Sequence, residues 1–169
     1  MMSELEAIRA SNARYASEFG DGELSARPAR AVAVITCMDA RMHPEQFLGF
    51  GAGDAHVIRN AGGRASDDAI RSLIISASVL GTREVLVIHH TDCGLLTNNT
   101  VLREQVQRAS GMDARAMDFL PFSDLTQSVR DDVERVLASP FLPAGTTVSG
   151  HVYEVESGRL REVVPSRST

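Results

Sequence analysis

The run Ala31 to Thr36, AVAVIT, constrains the fold more than any other stretch of this sequence. It is short, unbroken and rich in β-branched residues, and it stops at Cys37. A strand with one wet face alternates apolar and polar residues, so an unbroken apolar strand must be covered on both faces, as in a parallel sheet. Further short strands are expected at Ala55 to Arg59 (AHVIR) and Glu84 to His89 (EVLVIH). Between them Ser66 to Gly81 reads as a helix, with Ser66 as N-cap, Asp67 and Asp68 in the first turn, and Gly81 at the stop. Its apolar residues Ile70, Leu73, Ile74, Ala77 and Leu80 recur at helical spacing. Strand, helix and strand in this order require parallel strands joined by right-handed crossovers, and ligands collect at the carboxyl ends of such strands. Cys37 and His90 both stand at such ends.

The remaining chain fits the same α/β plan. Residues 3–19 read as an amino-terminal helical arm, with Leu5, Ile8, Tyr15 and Phe19 on one side to pack on a neighbour. Thr97 to Ser110 and Phe122 to Ala138 read as helices, and VSGHVYEVESGRLREV as two strands around a Ser157-Gly158 turn. With 169 residues and 43% hydrophobic content, a single domain spanning 1–169 is expected.

Composition excludes several functions. The formal charge is -5 with both signs interspersed, which offers no basic stripe to nucleic acid or anionic lipid. No apolar run approaches the ~20 residues of a membrane span, and the amino terminus has no cationic start followed by an apolar stretch. A cytoplasmic location is expected. Two cysteines in a reducing compartment are core residues, metal ligands or redox groups before they are a disulfide.

Their neighbours discriminate. His90 and Cys93 form H-x-x-C directly after an apolar strand, and Cys37 follows another. Two thiolates and one imidazole suit zinc, and three protein ligands leave its fourth position open, the mark of a catalytic site. His89 points to the opposite strand face from His90 and is assigned to packing. His43, His56 and His151 lack a thiol at ligand spacing and read as structural, as do Met38 and Met42. In Cys37-Met38-Asp39-Ala40-Arg41, the arginine can pair with Asp39 and keep it ionised and acceptor-only beside a metal-bound water. Asp39 and Arg41 capping a helix that begins at Pro44 is the alternative. Arg59-Asn60-Ala61-Gly62-Gly63 ends a strand in paired glycines that either bring backbone N–H groups to a small ligand or simply turn the chain.

CMDAR, HVIRNAGG, a helix and HHTDCG, in this order, resemble the β-class carbonic anhydrases of the short bacterial type, from about Ala31 to Thr97. The resemblance implies an α/β/α sandwich around a mostly parallel sheet, a homodimer or a dimer of dimers, and active sites near the subunit interface. It implies Cys37, His90 and Cys93 as ligands of one Zn2+ per subunit, with Asp39 and Arg41 as the catalytic dyad and Asp39 a possible fourth ligand in a closed state. Gly62, Gly63 and Leu95 become pocket-wall residues. The chain departs from the family pattern at Leu95, where many short relatives carry methionine, and in lacking a glutamine between Gly22 and Ala31.

The implied activity is reversible hydration of CO2 to bicarbonate and a proton, since zinc lowers the pKa of bound water to about 7. Hydrolases of COS or CS2 share every ligand and form the nearest alternative. A thiol or metal sensor explains the cysteines and leaves Asp39 and Arg41 without a role.

Overall fold

The computed structural model describes residues 2–169. The chain begins with α1 (Glu4–Ser17), then runs β1 (Val32–Cys37), α2 (Pro44–Phe47), β2 (Ala55–Asn60), α3 (Asp67–Ser78) and β3 (Glu84–His90). It continues through α4 (Asn99–Ser110), α5 (Leu125–Leu137), β4 (Thr147–Tyr153) and β5 (Leu160–Ser168). The five strands form one sheet in the order β2-β1-β3-β4-β5. The first four are parallel and β5 is antiparallel to β4, so the terminal hairpin closes one edge of a mostly parallel sheet.

The apolar run at the start of the sheet does what its composition demands: all six residues of β1 are buried. Alternation sends Ala33 and Ile35 to one face, where α3 contributes Ala69, Leu73 and Ala77 and α5 contributes Val129, Val133 and Val136. Val32 and Val34 go to the other face, under Met42, Phe47, Leu48, Phe50 and Phe122 from α2 and the loops. These covers on both faces make the α/β/α sandwich. Burying a side chain such as Leu73 contributes about 1.5–3 kcal/mol, so the two faces together supply the drive to pair the strands.

Helix starts follow the chain's own caps. Ser3 and Glu6 form a reciprocal capping box on α1, and the side chains of Ser66, Asn98 and Asp124 accept first-turn N–H groups of α3, α4 and α5. The helices expected from Thr97 and Phe122 therefore begin later, at Asn99 and Leu125. Against β4, α5 comes so close that a Cβ on Gly150 would lie 2.6 Å from Val129 Cγ1.

The arm differs from expectation in one respect. No residue of α1 is buried, and Leu5, Ile8, Tyr15 and Phe19 are all at least half exposed, so the helix lacks a neighbour within its own chain. It is tethered at its far end, where Leu24 packs over Gly53 and His56 Nε2–H donates to the Ala26 carbonyl. No helix among the described residues is long and apolar enough to cross a membrane.

Candidate metal centre and active site

β1 and β3 are neighbours, and their parallel register aligns Thr36 with Ile88. That alignment sets Cys37, the last residue of β1, beside the end of β3, which closes with His89 and His90. The chain then turns sharply through Asp92, at φ 55°, and brings Cys93 back to the same place. The ligand atoms of Cys37, His90 and Cys93 lie within 4.8 Å of one another, and all three residues are buried.

The imidazole is prepared for a metal. His90 Nδ1–H donates to the Thr91 carbonyl at 2.8 Å, which leaves Nε2 as a bare lone pair. Among the described residues, Nε2 is the only buried side-chain nitrogen or oxygen with no hydrogen-bond partner. An orphaned buried acceptor costs about 1–3 kcal/mol, and a cation between it and the two sulfurs removes that cost. The Cys93 thiol donates to Cys37 and, against the opposing effect of burial, pulls Cys37 below the ordinary thiol range, helped by the Asp39 and Gly62 N–H groups. The same contact pushes Cys93 up, because its own proton is held in the bond to the Cys37 thiolate. Two soft sulfurs and one imidazole nitrogen fit a zinc ion.

Beside the trio stands Asp39. Its Oδ1 accepts the backbone N–H and Nε–H of Arg41, and its Oδ2 accepts Nη2–H at 2.8 Å. Oδ2 also lies 3.8 Å from His90 Nε2. The Arg41 guanidinium holds the Asp39 carboxyl well below the usual carboxylate range, against the opposing effect of partial burial. Helix capping does not occupy these residues: the N-cap of α2 is His43, which makes no side-chain cap bond. Arg59 reaches the same loop, donating to the carbonyls of Cys37 and Asp39.

The glycine pair has divided roles. Gly63, at φ 67°, passes so near the strand ends that a Cβ would sit 2.9 Å from Cys37 N and the Thr36 carbonyl carbon. It buttresses the thiol loop and does not line the pocket. Gly62, at φ 76°, lies against Leu95, and a Cβ there would come within 3.1 Å of Leu95 Cγ. A cavity of about 310 Å³ opens on Cys37 and Cys93, walled by Asp39, Ala61, Gly62 and Leu95. Met38 also lines it and is 65% exposed, which corrects the expectation that Met38 is packing. It lies past the end of β1, in the exposed loop, while Met42 is fully buried in the core.

Three groups that the sequence reading did not single out support the site. Asp132, on α5, accepts Arg64 Nε–H at 2.8 Å and His89 Nε2–H at 3.0 Å, and His89 Nδ1 meets Ser128 Oγ at 2.8 Å. His89 does face away from the metal trio, into this network and not into plain packing. Of the other histidines, His56 bonds Ser76 and His151 bonds Ser149.

The family model described as carbonic anhydrase matches residues 32–160. The chain belongs to the β-carbonic anhydrase family. It is 41% identical over 157 residues to beta-carbonic anhydrase 1 of Mycobacterium tuberculosis, covering 92% of this chain and 95% of that one. A carbonic anhydrase structure from Streptococcus mutans superposes with a TM-score of 0.91 at 45% identity, covering 96% of this chain and 99% of the other. A carbon disulfide hydrolase from Acidithiobacillus thiooxidans is 36% identical over 156 residues, covering 78% of this chain and 72% of that one.

Proposed function

We propose that this chain catalyses the reversible hydration of CO2 to bicarbonate and a proton, with Cys37, His90 and Cys93 holding one Zn2+ per subunit. The observation that carries the reading is the partnerless Nε2 of His90, buried between two thiols and 3.8 Å from an arginine-held carboxylate. A zinc ion on this trio supplies the Lewis acidity that makes water a nucleophile at neutral pH.

The protein's residues supply the rest. Two thiolates offset the ion's charge, so the surroundings must do more of the activation than they would beside three imidazoles. Asp39, kept ionised by Arg41, is acceptor-only, and its Oδ2 lies 3.8 Å from His90 Nε2. A hydroxyl that donates to Oδ2 is fixed in direction and presents its lone pair to the substrate carbon. The N–H of Gly62 stabilises the Cys37 thiolate, and Met38, Ala40, Ala61 and Leu95 give the cavity an apolar wall suited to a small uncharged molecule.

A homodimer or dimer of dimers accords with the amino-terminal arm, whose exposed Leu5, Ile8 and Tyr15 on α1 and Phe19 just after it form an apolar face that a second subunit would cover. A cytoplasmic location accords with two buried cysteines present as thiols. Stopped-flow CO2 hydration by the zinc-loaded protein, with COS and CS2 assayed beside it, tests the reading. Fast CO2 hydration supports it, and turnover of CS2 or COS with none of CO2 replaces it with a sulfur-gas hydrolase.

A further inference from the structure

We propose that Asp92, between the two ligands of the H-x-x-C turn, is a positioning residue that holds Arg41 square to Asp39. The inference rests on the reading of Asp39 and Arg41 given above. It begins from the hydrogen bonds of one guanidinium. Arg41 Nε–H and Nη2–H go to the two carboxylate oxygens of Asp39, at 3.0 and 2.8 Å. Nη1–H goes to Asp92 Oδ2 at 2.7 Å, and Nη2–H also reaches the Asp92 carbonyl at 3.0 Å.

The two partners have different consequences. Asp39 lies two residues from Arg41 on the same loop, so that pair alone is local. With Arg41 48% exposed, an isolated pair of this kind is worth little and leaves the fork free to swing. Asp92 belongs to the loop after β3, so its two contacts tie the guanidinium to the strand end that carries His90 and Cys93. Nη2 is the shared atom: it bonds Asp39 Oδ2, the oxygen nearest His90 Nε2, and the Asp92 carbonyl. If the Nη1 anchor is lost, the fork can pivot about Nε and draw Nη2 away from Oδ2.

The backbone agrees with this assignment. Asp92 sits at φ 55°, in the left-handed region that asparagine and aspartate tolerate better than other side chains. The turn presents both its carboxylate and its carbonyl to Arg41. Its side chain is 72% exposed and is no part of the core, so its substitution tests geometry without testing folding.

Asp92→Asn is therefore the informative variant, because it keeps the turn and removes the charge. Zinc content equal to wild type is expected, with kcat for CO2 hydration down about tenfold and KM within about twofold. Because Asp92 acts through Arg41, Asp92→Asn should cost nothing further in an Arg41→Ala background. The Arg41 Nε–Hε NMR signal, read without reference to activity, should broaden or shift in Asp92→Asn. An equal loss of kcat in both backgrounds would overturn the proposal, as would wild-type kcat with an unaltered Arg41 signal. Full activity in Asp39→Ala would instead overturn the dyad reading, and the NMR arm would still decide whether Asp92 holds Arg41.

Discussion

Asp132 receives the Nε2–H of His89 at 3.0 Å, a bond that runs from α5 to the strand residue immediately before His90. The same carboxylate is paired with Arg64, which follows the glycine turn against Cys37. One buried acid thus ties the strand end that carries His90 to the glycine turn that packs against Cys37.

Asp132→Asn is expected to destabilise the fold. Asp132 is 3% exposed and Arg64 only 14%, so the amide leaves a nearly buried guanidinium without its counter-charge. Breaking one side of such a pair costs about 3–5 kcal/mol. Urea unfolding of the two proteins side by side measures it, and a difference below the uncertainty of the extrapolation rejects the role.

The same carboxylate predicts a pH dependence. Burial alone would raise Asp132, but His89 and Arg64 outweigh it and lower it from its ordinary 3.8. A group lowered in the folded state contributes stability that is fully present above its unfolded value and lost as pH falls through its folded value. The stability gap between wild type and Asp132→Asn should therefore be flat above about pH 5 and close progressively below about pH 4. Unfolding midpoints across that range check the sign.

Cys93→Ala and Asp39→Ala should separate binding from catalysis. The first loses zinc, because one imidazole and one thiolate remain. The second keeps zinc and loses about 10–100-fold in CO2 hydration, the usual cost of removing an orienting partner beside a metal. Metal analysis of both proteins, with stopped-flow rates, decides. Full zinc in the cysteine variant refutes the ligand assignment.

Gly63→Ala should be far more harmful than its size suggests. A left-handed backbone costs a side chain about 1–3 kcal/mol, and here the new Cβ also meets the backbone of Thr36 and Cys37. Loss of both thermal stability and zinc retention is expected, whereas Gly81→Ala meets open space at a comparable φ and should lose stability alone.

Serine at Leu5, Ile8, Tyr15 and Phe19 should change the assembly and spare the sheet, since α1 buries nothing within its own chain. Sedimentation velocity should show a shift to monomer with an unaltered far-ultraviolet spectrum. An unshifted boundary would reject the arm as the contact between subunits.

Much of the plan was legible because its signals are local. The β-branched run at 32–37, the caps at Ser66 and the H-x-x-C spacing each need only a few neighbouring residues. That Cys37 and His90 both stand at carboxyl strand ends followed from the parallel plan, and the strand order then makes them neighbours. Asp132 and Ser128 were missed because their partners lie far away in sequence. A signal existed: both interrupt the stripe formed by Val129, Val133 and Val136, placing an acid and a hydroxyl on the buried side of α5. Met38 was misread because nothing local marks Cys37 as the last covered residue of the strand. Arg41's second partner was invisible because no local pattern marks Asp92 as facing the loop after β1.

The ladder between β1 and β3 ends at Thr36 and Ile88, one residue before Cys37 and two before His90. The ligand trio sits just past the final rung, where Cys37 is still paired with Asn60 of β2 and His90 with Tyr153 of β4, but the two strands no longer bond each other. A cation held there would link β1 to β3 beyond their last shared hydrogen bond, and it could do so only after both strands have found their register. Metal occupancy then doubles as a report on the pairing at the centre of the sheet, and removing the metal should let that seam open from its carboxyl end.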